Sequence, residues 1–169
     1  AGNNPYDTYT FSTAGVYQSL TLDHNCAASP DIVVTSVCGD PIVFTVTNNG
    51  ANMLVAQDYS VTQGATTITS DNFTLAAGAS TTVTLPAGIN PYLPYVFSND
   101  GGFLTISYMH NCTDPVIVVT SVCGNPIVFT VNNTGGAMLI AQPYTITQGV
   151  TVVDSGTINI PASGSTTVT

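Results

Sequence analysis

The stretch PIVFTVTNN, residues 41–49, alternates apolar and polar side chains, the mark of a β-strand with one buried face. Ile42, Phe44 and Val46 are expected to face a core, with Val43, Thr45 and Thr47 opposite. Turn chemistry brackets the run, CGDP before it and NNGAN after it. The pattern continues outward. MLVAQDYSVTQG, from Met53, places Met53, Val55, Tyr59 and Val61 inward, and Phe73, Leu75, Val83 and Leu85 extend the set. Leu20 and Leu22 alternate near the start of the chain as Ile106 and Tyr108 do later. TQGA, LAAGAS and SNDGG separate the runs. Short strands at regular spacing, rich in β-branched residues and without a helical period, predict an all-β chain of β-sandwiches.

The same stretch occurs twice. TSVCGDPIVFTV from Thr35 returns as TSVCGNPIVFTV from Thr120, MLVAQDYSVTQG returns as MLIAQPYTITQG from Met138, and STTVT from Ser80 returns from Ser165, all at an offset of 85. At an offset of 86, AGNNPYDTYTFSTAGVYQSLTLDHNC from Ala1 lies over AGINPYLPYVFSNDGGFLTISYMHNC from Ala87. The extra residue is absorbed in the turn between CAASPDIVV and CTDPVIVV. The chain is therefore a tandem repeat, divided at the cysteines into 1–26, 27–112 and 113–169. The middle part is a complete repeat. The last part is expected to lack the final strands that 1–26 supply at the other end.

Composition narrows the functions. There are no Lys or Arg residues among 169, and nine acidic residues give a net charge of −9. Such a chain has nothing with which to neutralise phosphates or an anionic bilayer, so neither nucleic acid nor a membrane surface is an expected partner. No apolar run approaches the ~20 residues that span a bilayer as a helix. Four cysteines in a chain rich in Thr, Asn, Gly and Ser point to an oxidising, extracellular setting. No signal-peptide pattern is present, and a start at Ala1 fits a processed end.

PDIVVTSVCGDPIVFTVTNNG, followed by LAAGASTTVTLPAG, resembles the CARDB-type and related immunoglobulin-like repeats of prokaryotic cell-surface proteins. In that pattern a VVTSV strand precedes FTVTNxG, and xAAGxSTTVT comes late. The resemblance implies tandem immunoglobulin-like β-sandwiches serving as stalks, adhesin modules or filament building blocks. Paired cysteines and the broken phase depart from it.

The broken phase carries the functional expectation. A sandwich without its last strands exposes an apolar groove and unpaired backbone, which is costly. The same segment of a neighbouring chain can fill it, and such a head-to-tail contact propagates into a fibre. The expected protein is an extracellular filament or pilus-like fibre subunit on the cell surface, a linear homopolymer of identical subunits. Tyr9, Phe11, Leu20 and Leu22 are the expected donor contacts. Ile127, Phe129, Val131, Ile140, Tyr144, Ile158, Ile160 and Val168 are the expected acceptor core, with Met138 and Ile146 also inward. The alternative is an excerpt of a long multi-repeat stalk or adhesin with a glycan- or surface-binding role.

In a sandwich of this topology the first and last strands run parallel and often lie side by side, so Cys38, ending the first, is expected to pair with Cys112, ending the last. The local pairing of Cys26 with Cys38, and Cys112 with Cys123, would join opposite ends of a strand roughly 20 Å long, whereas bridged Cα atoms lie within about 7 Å. By repeat equivalence, Cys123 then pairs with Cys26 of the donated segment, locking subunits together. A zinc site would have to recruit His24 or His110 to widely spaced cysteines.

Other chemistry is thin. His24 and His110, each followed by NC, read as structural positions at a strand end, and no metal or cofactor is expected. Asp31, Asp40 and Asp114 could offer oxygens to Ca²⁺, but Asp40 becomes Asn125, Asp58 becomes Pro143, and no dense acidic run exists. No nucleophile elbow or close carboxylate pair is evident, so no catalytic residues and no enzyme are expected. Tyr6, Tyr9, Tyr92 and Tyr95 near NPY either pack at a strand entrance or form a sugar-stacking patch. Sequons at Asn72, Asn111 and Asn132 are glycan acceptor candidates, Asn132 foremost.

Overall fold

The computed structural model describes residues 4–14, 19–24, 28–99 and 104–169. Among these the chain is all-β, with no helix and only antiparallel pairings. Contacts divide it into two compact units. One carries every strand up to His110; the other carries the later strands with the short segments 38–42 and 86–94.

The first unit begins with a two-stranded hairpin, β1 (Tyr9–Ala14) and β2 (Ser19–His24). A three-stranded sheet follows, in the order β3 (Ile32–Val37), β4 (Val43–Asn48), β7 (Ser80–Thr84). A four-stranded sheet has the order β6 (Thr66–Phe73), β5 (Gln57–Gln63), β8 (Tyr95–Ser98), β9 (Ser107–His110). The inward residues of β4, Phe44 and Val46, are fully buried, as are Val61 of β5 and Phe97 of β8. Phe44 and Phe97 meet between the sheets with ring centroids 5.7 Å apart. This packing of two antiparallel sheets over an aromatic core is consistent with a β-sandwich.

The second unit repeats part of this plan. Its sheets have the orders β10 (Ile117–Val122), β11 (Val128–Asn133), β14 (Ser165–Val168), and β12 (Gln142–Gln148), β13 (Thr151–Ile158). The pairings coincide after adding 85: Val34 with Val46 becomes Val119 with Val131, and Tyr59 with Asp71 becomes Tyr144 with Gly156. Both β5–β6 and β12–β13 turn through a glycine of positive φ, Gly64 at 57° and Gly149 at 61°. Glycine at the first of two turn positions gives the tight connection whose twist matches a hairpin.

One end of each unit is closed by a buried asparagine. Asn48 donates to the carbonyls of Ala51 (2.6 Å), Leu75 (3.2 Å) and Ala76 (3.3 Å), and accepts the N–H groups of Asp31 and Gly50. Asn133 does the same for Gly136, Ile160 and Pro161, accepting from Val116 and Gly135. One side chain thus satisfies loop backbone from three directions, which a buried loop requires.

Three sequence expectations need correction. Val55 lies exposed, because residues 49–56 form the loop between β4 and β5 and the alternation starts only at Gln57. Ile127, the counterpart of fully buried Ile42, is 54 % exposed. The first and last strands of the complete repeat share no sheet, β3 and β9 being edge strands of different sheets, and they meet instead through side chains, Ser36 Oγ lying 3.0 Å from the Tyr108 hydroxyl.

Candidate functional site

The open end of the second unit is where the two repeats diverge. In the first unit β5 lies between β6 and β8. Among the described residues β12, its counterpart, pairs with β13 alone, which leaves its other edge unpaired. Beside that edge lies a groove of ≈ 350 Å³, walled by Ile117 and Val119 of β10, Phe129 and Val131 of β11, Val168 of β14, residues 144–147 of β12 and Ile158 of β13. A second hollow, reaching Ile127 and Asp154, continues from Phe129 and Ile146. Val119 is 56 % exposed where its counterpart Val34 is 6 % exposed.

The expected acceptor residues separate by depth. Phe129, Tyr144, Ile158 and Val168 are half-buried in the groove wall. Val131 and Ile160 are buried with Met138 in the closed core, Val131 also reaching the groove. Ile127 stands at the rim, and Ile140 is half-buried away from the groove. Ile117 and Val119 were not among the expected acceptor residues, although Val119 stands one repeat after inward Val34.

The hairpin presents an exposed apolar face. Tyr9 pairs with His24 and Phe11 with Leu22, so Tyr9, Phe11, Leu20 and Leu22 share one face. All four are exposed, Phe11 at 61 %. Thr10, Ser12, Thr21 and Asp23 line the other face, with Thr10 donating to Asp23 at 2.5 Å. Adding 86 to each pair gives the β8–β9 register: Tyr95 with His110, Phe97 with Tyr108, Ser98 with Ser107. There the same positions are core: Tyr95 and Phe97 are buried, and Phe97 stacks on Tyr59. His110 is buried with its Nδ1 2.7 Å from Ser36 Oγ, while His24 is exposed.

A disulfide joins Cys38 to Cys112, Cα atoms 5.9 Å apart, linking the chain just after β3 to the chain just after β9. Cys123, one repeat after Cys38, is an exposed free thiol. Cys26 lies outside the described residues.

The NPY tyrosines act through their hydroxyls. Tyr6 accepts the N–H of Leu54 at 2.9 Å; Tyr92 accepts that of Leu139 at 2.6 Å and donates to the carbonyl of Ala137. Tyr9 donates to the carbonyl of Asn4, and Tyr95 is buried. Asp40 accepts the N–H of Gly88 at 2.7 Å. Asn132, foremost of the sequons on sequence, is half-buried in the central strand β11, whereas Asn72 and Asn111 are exposed.

Tyr144 differs from its neighbours. Its hydroxyl donates to Asp154 Oδ2 at 3.0 Å. That bond, then partial burial and the carboxylate's charge, hold its pKa above the ordinary 10.0. Comparison with known families, curated proteins and solved structures finds no match.

Proposed function

We propose that the chain is a structural subunit of an extracellular, cell-surface filament or pilus-like fibre. Subunits polymerise head to tail by β-strand donation, residues 1–26 of one entering the 113–169 domain of the next. The modules are immunoglobulin-like repeats of the CARDB type, and the role is architectural rather than catalytic. The observation that carries this reading is that β1–β2 has the register of β8–β9, while β12 has an unpaired edge where β5 holds β8.

Transferring the β5–β8 pairs gives the docking register. Ser60 with Ser98, Val61 with Phe97 and Thr62 with Val96 become Thr145 with Ser12, Ile146 with Phe11 and Thr147 with Thr10. Phe11 then enters between Phe129 and Tyr144, and Leu22 faces Phe129. Each of the four apolar side chains gains about 1.5–3 kcal/mol on burial, and the edge of β12 gains main-chain bonds. Cys26 arrives where Cys112 stands against Cys38, so it pairs with Cys123 and closes the joint covalently.

A second reading keeps the same packing with a continuous backbone: a long polypeptide of many such repeats, a stalk or adhesin. It draws on residues 95–110, where the corresponding hairpin completes a repeat within its own chain. Native fibres boiled in denaturant separate the two. Collapse to 17.4 kDa subunits with reductant, and only with reductant, supports donation with a disulfide lock. Persistence at large multiples under full reduction contradicts donation between chains.

A further inference from the structure

The two repeats treat one tyrosine differently. Tyr59 stacks face to face on Phe97, ring centroids 4.9 Å apart and planes 9° apart. Opposite it, Asp71 turns its carboxylate to the N–H of Asn72, 2.8 Å away. The counterpart Tyr144 instead bonds Asp154 and lays its ring on Gly156, its partner across β13. A Cβ at position 156 would lie 2.8 Å from Tyr144 Cε1 and 2.9 Å from the hydroxyl oxygen, so the ring fits there only over glycine. Asp154 and Gly156 stand where the first repeat has Thr69 and Asp71. The fold does not require them: β5 and β6 keep the same register and the same irregularity without them.

We propose that Tyr144 is the gate of the acceptor groove. Asp154 and Gly156 hold it against β13 until a hairpin enters, whereupon it turns to stack on Phe11 of the incoming subunit as Tyr59 stacks on Phe97. This inference rests on the strand-donation reading. The resting position gives the hydroxyl a charged acceptor and covers bare glycine backbone with an aromatic ring. Entry of Phe11 exchanges these contacts for an aromatic stack, so the gate acts mainly on the rate. An apolar groove beside an open strand edge invites unspecific pairing, and a ring that leaves Asp154 and Gly156 only for an aromatic partner favours an entrant with an aromatic residue in register.

The test is reassembly of the full chain, dissociated in denaturant and reductant and returned to buffer, followed by light scattering. Tyr144→Phe keeps the ring and removes the hydroxyl; Asp154→Thr restores the residue of the first repeat. Both are expected to reach half-assembly at least about threefold faster than the parent chain. Tyr144→Ala, without the stack, is expected to give fibres that dissociate at lower denaturant. Equal rates for the parent, Tyr144→Phe and Asp154→Thr overturn the gate, as does a fibre structure with Tyr144 still bonded to Asp154. Phe11→Asp, run alongside, separates the two claims. If it blocks assembly while Tyr144→Phe matches the parent, only the gate fails. If it assembles like the parent, or the parent does not assemble, strand donation fails and the gate with it.

Discussion

Phe97 packs against Phe44 with ring centroids 5.7 Å apart and planes tilted by 44°, closing the core between the two sheets of the first unit. Phe11, at the equivalent place in β1, is largely exposed. Phe97→Ala is therefore expected to cost about 3–5 kcal/mol in the first unit, as buried aromatic truncations do. Phe11→Ala is expected to change the stability of the isolated chain by no more than about 0.5 kcal/mol, yet to prevent fibre growth. Denaturant titration checks the first pair of values and sedimentation velocity the last.

Asn48→Ala removes the side chain that bonds two loop N–H groups and three carbonyls together in the first unit. Each group left buried without a partner costs about 1–3 kcal/mol, and water cannot enter freely at a site so fully enclosed. A loss of roughly 2–4 kcal/mol is expected from the same principle. Asn133→Ala is expected to act on the second unit in the same way. Thermal melts of both variants against an exposed control, Asn72→Ala, measure the difference.

The Cys38–Cys112 bridge spans 74 residues of sequence. Closing a loop of that size in the unfolded chain is worth about 4 kcal/mol in the entropy model. The double variant Cys38→Ser, Cys112→Ser is expected to lose about that much in guanidinium titration, and reductant is expected to have little further effect on it.

Alkali gives a separate readout. Burial raises the pKa of Tyr59, with the charge of Asp71 adding to it, and burial raises that of Tyr95. The folded chain thus holds these protons more tightly than the unfolded chain does. Their stabilising contribution is full below the ordinary value of 10.0 and is lost as pH rises through the higher folded values. Stability is expected to hold steady to about pH 10 and then decline. Tyr144, tied to Asp154, is expected to ionise late, and Asp154→Thr to bring its titration back towards 10.0. Ultraviolet difference titration of the tyrosines follows both effects.

Much of the strand plan was legible because alternation reports a strand with one buried face. Ile42, Phe44 and Val46 are inward as their spacing requires. Alternation failed where the backbone leaves the pleat: Val55 keeps the parity of Tyr59 but sits in a loop. The buried asparagines were present in the sequence as Asn48 and Asn133, one repeat apart, yet each stood in a segment already explained as a turn. Asn beside Gly reads first as turn chemistry, and only the fold reveals that its side chain points inward. Ser163 shows the same limit. It adopts a φ of 57° where Gly78 has 73°, and an αL serine has no signature in a single sequence. The groove was legible in kind, from the phase of the repeat. Its lining was not: Ile117 and Val119 become wall residues only through the pairing of β10 with β11.

Entry of the hairpin of one chain into the groove of another can be read by mixed isotope labelling. Heavy and light chains are dissociated, mixed in equal amounts, reassembled under oxidising conditions and digested with a protease that needs neither Lys nor Arg. A Cys26–Cys123 linked peptide is expected, about half of whose copies join one heavy and one light partner, as random pairing between chains requires. Linked peptides that are always wholly heavy or wholly light would place the bond within a single chain and contradict donation between chains.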